Sequence, residues 1–363
     1  MVLPAEIWHG KIFFMKNRIG YYDIAKGIGI ILVVIAHIEY MPLELRQYIV
    51  TFHMPAFFVI SGMLMCLTNE KDRDIKTLLS HKLKRILLPY FIFSLIFPIT
   101  YYLRFLVTGE GYSNEHFIQD ILVGISMTGV SVLWFLPALF FSELIALFII
   151  KNLKKPVILF LIALMIVGIC YLPFLVHFMA LFLWRIVYCS ALVMIGYFLF
   201  PVIGIISKKP VAAFFMAIVL FTILYFTGMI NGIVDLHYVI TGNKLLYYIN
   251  ATMGSAALIF LSVFIDSKLK RLGNVLEFYG RHSLFVMITH IDFMILFFAE
   301  KMAFFLSDLS PRGKEIIFNV SAVIMTLVIE AVLIIIWEKA KKYGILFISD
   351  RKKVKSNVLL GKD

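Results

Sequence analysis

The stretch YYDIAKGIGIILVVIAH, residues 21–37, decides how this chain folds. Beyond Asp23, Lys26 and His37 it is aliphatic, aromatic or glycine, and with its flanks it is long enough to cross a bilayer as a helix. Lys26 and His37 stand eleven residues apart, close to three helical turns. They therefore project from one face, at depths about 16 Å apart along the axis. Ionisable groups are costly inside a bilayer and mark function by default. Two on one stripe suggest a path from a charged mouth to a buried base.

Working outward from that stretch, the same composition continues. The chain has 363 residues, 62% of them hydrophobic and only 15% charged, with a mean hydropathy of +0.95. That is more apolar surface than a soluble domain of this size can use. Apolar runs of about 20 residues recur along the length, each able to cross about 30 Å of hydrocarbon as a helix. The fold class is all-α: a polytopic membrane protein forming a single membrane domain over residues 1–363. The net charge of +12 is not a nucleic-acid surface, because Lys and Arg cluster in short segments between apolar runs, as topology signals do. Cys66, Cys170 and Cys189 lie in apolar segments at spacings that suit neither a zinc site nor a disulfide framework, and no metal is expected. The first apolar stretch lacks a small-residue cleavage site and does not read as a removed signal peptide.

Ten spans are expected, near residues 24–41, 49–68, 86–107, 132–150, 156–173, 183–206, 211–229, 247–265, 283–300 and 317–337. The segments this places on one side are 1–22, 69–85, 151–155, 207–210, 266–274 and 338–363, and they hold 25 of the 34 Lys and Arg. The opposite loops hold little beyond Arg46, Lys244, Lys301, Arg312 and Lys314, with Arg104 near a span end. The alternation puts both termini in the cytoplasm. The outer segment 108–131 contains a moderately apolar stretch expected to lie at the interface or to re-enter, and the polar tail 338–363 is expected to be mobile.

Several residues are candidates for chemistry. Asp23 and Lys26, at i, i+3 spacing, can pair and lower the cost of burial. Lys26 reads equally as a snorkelling interfacial lysine. His37, among aliphatic residues and with Glu39 nearby, reads as a general base, its imidazole having an ordinary pKa near 6.5. In TFHMPAFFVISG, residues 51–62, a short connection returns His53 to the level of His37, as a partner to it or as a helix-start residue. Ser61 and Gly62 allow a close helix approach. In SHKLKRILLPY, residues 80–90, Lys82, Lys84 and Arg85 are either topology anchors or a cradle for a cytosolic donor's phosphates. LWFLPALFFSELIAL, residues 133–147, carries Trp134 as an interfacial aromatic and Glu143 as a buried carboxylate needing a partner. FYGRHSLFVMITH, residues 278–290, places Arg281 and His282 on the basic side and His290 two turns past Ser283. Arg185 and Glu330 are isolated charges within spans.

Taken in order, these motifs resemble the membrane acyltransferase-3 family, integral-membrane enzymes that modify cell-surface glycans. Asp23-x-x-Lys26 followed by His37 is similar to that family's basic residue, ten-residue gap and histidine. HMPAFFVISG, KLKRILLP, LWFLPALFF, Gly196-Tyr197 and GRHSLFVMITH follow in the family's order. KGIGIILVVIAH most resembles the branch associated with sugar O-acetylation, including fucose acetylase-like members. The resemblance implies transfer of an acyl group, usually acetyl from acetyl-CoA, to a hydroxyl of a glycan or lipid-linked saccharide, such as O-antigen or exopolysaccharide, in the cell membrane. It implies His37 as the catalytic histidine, Lys26 as the family's basic residue, and Lys82 with Arg85 as the basic loop near the donor. The chain departs from the pattern in having Lys where Arg is common, which loses bidentate phosphate recognition.

On this reading the phosphates of acetyl-CoA are held by Lys82, Lys84 and Arg85, with Lys26 and Arg281 on the same side. The thioester arm extends inward to His37, which deprotonates the acceptor hydroxyl or carries the acetyl group briefly. His53 is a further candidate at the base, and Glu39, Glu143 or Glu330 is expected to orient the imidazole. The rival class is a transporter or flippase for a lipid-linked sugar or polar solute, against which stand the absence of an inverted repeat and of paired broken spans.

Overall fold

The computed structural model describes residues 18–109, 111–171, 181–292, 295–308 and 314–359, and every regular element among them is helical. The first helix, α1, runs Gly20–His37 and ends on the histidine itself, the chain turning extended at Ile38. A short helix α2 (Leu43–Val50) caps the outer side, and α3 (His53–Leu67) returns towards the basic side. Expected as one span from residue 49, this region is broken at Thr51 and Phe52, so His53 opens a new helix.

Next, α4 (Ile75–Lys82) and α5 (Leu88–Thr108) are joined by a π-helical turn, Leu83–Leu87. Pro89 explains that turn. It offers no amide hydrogen, and its ring crowds the carbonyl one turn back, so the ladder widens and Leu88 N–H bonds to the Leu83 carbonyl. Asp74 starts α4 by accepting the Thr77 amide at 2.9 Å. That bond, with the Thr77 hydroxyl, holds its carboxyl below the ordinary aspartate range. The expected interfacial or re-entrant stretch is helix α6 (Asn114–Ile125), which folds back along α5: Gly124 lies on Ser94, and its carbonyl accepts the Tyr90 hydroxyl at 2.8 Å.

A 3-10 turn (Ser131–Trp134) leads into α7 (Phe135–Asn152), followed by α8 (Lys155–Tyr171), α9 (Leu181–Ile206), α10 (Pro210–Asn231), α11 (Lys244–Lys268), α12 (Lys270–Arg281), α13 (Ser283–Asp292), α14 (Ile295–Asp308) and α15 (Lys314–Leu359). Eight helical stretches among the described residues are long and apolar enough to cross a membrane. The other two expected spans fall on α8, whose expected end at 172–173 lies outside the described residues, and on α13 with α14, separated by residues 293–294, which also lie outside them. Residues 1–17 and 309–313, with their share of the expected topology charges including Arg312, likewise lie outside them, as does the side chain of Cys170. The last helix continues to Leu359, where a mobile tail was expected.

Two glycine crossings set the distances between helices. At Gly62 and Gly196, α3 and α9 touch backbone to backbone: a Cβ on Gly62 would fall 1.9 Å from the Val193 carbonyl oxygen, and one on Gly196 2.0 Å from that of Val59. At Gly27 and Gly280, α1 and α12 meet in the same way, a Cβ on Gly280 falling 1.7 Å from the Asp23 carbonyl oxygen. Such contacts supply dispersion where lipid removes the hydrophobic drive for association. The buried core runs through Ile30, Val33, Phe58, Ile60, Met63, Tyr90, Leu133 and Tyr188, while Leu95, Ile99, Phe215 and Val219 stay exposed as a lipid-facing surface.

Gly280→Ala is expected to destabilise the protein by about 1–3 kcal/mol or more, because the obstructing atoms are backbone. Gly204→Ala meets nothing within 4 Å and is expected not to. Thermal unfolding of the two variants in detergent checks this, and equal midpoints would contradict it.

Candidate active site

Three histidines share one local device. His37 Nδ1 donates to the Val33 carbonyl at 2.8 Å, His53 Nδ1 to Ile49 at 3.0 Å, and His290 Nδ1 to Val286 at 2.9 Å. Each carbonyl lies one turn back along the chain and can only accept, so each ring carries its proton on Nδ1 and presents Nε2 as a lone pair. The rings of His37 and His290 meet edge-on with centroids 5.2 Å apart. His290 is fully buried, and its Nε2 has no hydrogen-bond partner among the described residues.

His37 and His53 face a cavity of about 570 Å³. Its floor is Val33, Ala36, His37 and His53, and Met287 and Ile291 of α13 close one side. The remaining lining includes Arg46 and Gln47 of α2, residues of the turn Ser131–Trp134, and residues 233–238 between α10 and α11. All of those connecting elements lie on the side poor in Lys and Arg. The cavity therefore opens opposite the basic face, whereas Lys26 lies about 16 Å down α1 towards that face. His37 is exposed into the cavity; His53 is buried behind it.

Arg185, an isolated charge in the sequence, finds its partners here. Its Nε donates to the His237 carbonyl at 3.1 Å, with Nη2 on the same oxygen, and Nη1 donates to Thr128 at 3.0 Å. The guanidinium lies 4.9 Å from the Trp134 ring, which is buried and stacks on His237. Burial, and then the charge of Arg185, push the His237 imidazole down to about 4. It is thus neutral at physiological pH. Arg46 Nη2 donates to the carbonyls of Ile38 at 2.5 Å and Glu39 at 3.3 Å, tying α2 to the end of α1. Asp235 and His237 escape a reading of the sequence, because a short loop has no periodicity; their one signal is a polar cluster, DLHY, between apolar runs.

Two of the three candidate orienting carboxylates, Glu143 and Glu330, are bonded away from His37. Both oxygens of Glu143 are taken, one by Lys82 at 2.7 Å and one by the Ser61 hydroxyl. Glu330 turns both of its oxygens to the Thr289 hydroxyl at 2.9 Å. Glu39 is exposed, and its amide donates to Glu300 at 2.9 Å. The backbone carbonyl of Val33 does what these carboxylates were expected to do. Lys82 also differs from expectation: it is buried, 2.7 Å from Glu143 and 2.9 Å from Glu70, so two carboxylates neutralise it and it is not an exposed phosphate ligand. Arg281 is exposed but paired with Glu277. Lys84 and Arg85 stand exposed on the π-helical turn. Lys26 pairs with Asp23 at 2.6 Å, and Asp23 also holds Arg18.

A family model described as an acyltransferase domain matches residues 19–335. No curated protein and no solved structure matches the chain.

Removing one member of a buried ion network strands the others, at a cost of about 3–5 kcal/mol. Lys82→Met is accordingly expected to lower the thermal midpoint in detergent sharply. Lys82→Met with Glu143→Gln should recover most of the loss, since Glu70 is only half-buried and can turn to water. A single variant as stable as the wild type would contradict the network.

Proposed function

The chain belongs to the acyltransferase-3 family, and from that premise we propose that it transfers acetyl from acetyl-CoA to a hydroxyl of a cell-surface polysaccharide or lipid-linked saccharide, with His37 as the base. It is a multi-pass membrane acyltransferase. The observation that carries the finer reading is the fixed tautomer of His37, which leaves Nε2 unprotonated on a residue that lines a cavity of about 570 Å³.

In the proposed reaction, Nε2 takes the proton of the acceptor hydroxyl as its oxygen attacks the thioester carbonyl. The carbon–sulfur bond then breaks, and the proton passes to the departing thiolate. Charge is transient on His37 and is never held on a buried carboxylate. The acceptor enters from the outer cavity. The donor is anionic and suits the basic side, where exposed Lys84 and Arg85 are its best-placed ligands and Lys26 marks the inner end of α1. Lys82 supports that side from within as a structural cation. In this proposal the protein resides in the cell membrane, and the Lys and Arg asymmetry supports a basic face turned to the cytosol.

His37→Ala is expected to reduce transfer of isotopically labelled acetyl to a panel of oligosaccharides by about 10²–10⁴-fold, the usual worth of a general base. Membrane abundance and thermal midpoint should hold. Undiminished transfer in that variant would remove His37 from the chemistry. Lys84→Ala with Arg85→Ala is expected to raise the KM for acetyl-CoA and leave that for the acceptor unchanged.

A further inference from the structure

We propose that Tyr238 is the platform on which the pyranose ring of the acceptor stacks at the outer mouth of the His37 cavity. This rests on the acyl-transfer reading and adds the residue that selects the acceptor. The side chain lines the cavity and is 59% exposed. Behind it the stack is continuous: Tyr238 lies on His237 with ring centroids 4.5 Å apart and planes at 26°, and His237 lies on Trp134 at 5.5 Å and 4°. Arg185 also lies over Trp134, 4.9 Å from the ring centroid. Trp134 is buried within these contacts, and Tyr238 is the exposed member of the column.

The loop that carries it is fastened at each point. Asp235 and Ile240 exchange backbone hydrogen bonds of 2.6 and 2.8 Å. The Asp235 carboxylate accepts the amides of His237 at 2.9 Å and Tyr238 at 3.4 Å. Arg185 grips the His237 carbonyl. Val239, immediately after the tyrosine, is held at φ 56°, a left-handed conformation that β-branched residues rarely adopt. Strain of this kind persists where the surroundings impose it, and it clusters at ligand clamps. An aromatic ring fixed before the ligand arrives loses little entropy on binding. Its negative face suits the polarised C–H groups of a sugar, and the neutral His237 beneath adds no charge.

A purely anchoring role is the competing explanation, since tyrosine is common at membrane interfaces. Steady-state kinetics with labelled acetyl-CoA and a saccharide that the wild type acetylates separate the two. Tyr238→Ala is expected to raise the acceptor KM about tenfold, with kcat and the KM for acetyl-CoA moving less than about twofold. Tyr238→Phe and Tyr238→Trp should stay near the wild type. An acceptor KM unchanged in Tyr238→Ala, or a Phe variant as poor as the Ala variant, would overturn the assignment while leaving acyl transfer standing. So would a loss confined to membrane abundance. A wild type that labels no saccharide at all would overturn the acyl-transfer reading itself, and this one with it.

Discussion

The hydrogen bond from His37 Nδ1 to the Val33 carbonyl constrains everything around it. A carbonyl has no proton to give, so the ring cannot change tautomer without losing that bond, and Nε2 stays the basic nitrogen. Because the histidine is the last residue of α1, the same bond holds the ring against its own helix while the chain departs at Ile38. No carboxylate is needed as orienter. In a bilayer that economy has a reason: a second buried charge beside the imidazole would need its own partner, whereas a helix carbonyl one turn back is already present. His53 and His290 repeat the device, so three imidazoles lie close together without any carboxylate bonded to them among the described residues.

The other ionisable groups divide by face. On the basic side, Lys82, Glu70 and Glu143 neutralise one another within the helix packing, where the π-helical turn ahead of Pro89 leaves Lys84 and Arg85 outside. On the opposite side, Arg185 and Arg46 spend their hydrogen bonds on backbone carbonyls of connecting segments. They shape the mouth of the cavity. The proposed chemistry thus draws its two substrates from opposite faces and brings them together at the end of one helix. The glycine crossings at Gly27 and Gly280 fix where the basic end of that helix sits.

Much of this was legible in the sequence, for physical reasons that also mark the limit. Long apolar runs have few alternatives to spanning helices, so the all-α membrane architecture followed from composition, and the isolated imidazole in IILVVIAH stood out against its neighbours. The close approach at Gly62 was visible as a small residue in an apolar helix, whereas its partner Gly196 was not marked as one. Pairings between distant segments were not. Glu143 and Lys82 are 61 residues apart, and nothing local says which buried carboxylate meets which buried cation. The same ignorance left Glu39, Glu143 and Glu330 as alternatives beside His37, of which Glu143 and Glu330 are bonded elsewhere. The break at Thr51 and Phe52 was hidden because apolar character continues across it. The column from Arg185 to Tyr238 was hidden because loops carry no repeat from which facing side chains can be inferred.

The most direct test of access from two faces uses sealed proteoliposomes with labelled acetyl-CoA trapped inside and a membrane-impermeant oligosaccharide supplied only outside. The account predicts label on the external saccharide, lost in His37→Ala. Label that appears only when both substrates share one compartment would contradict it.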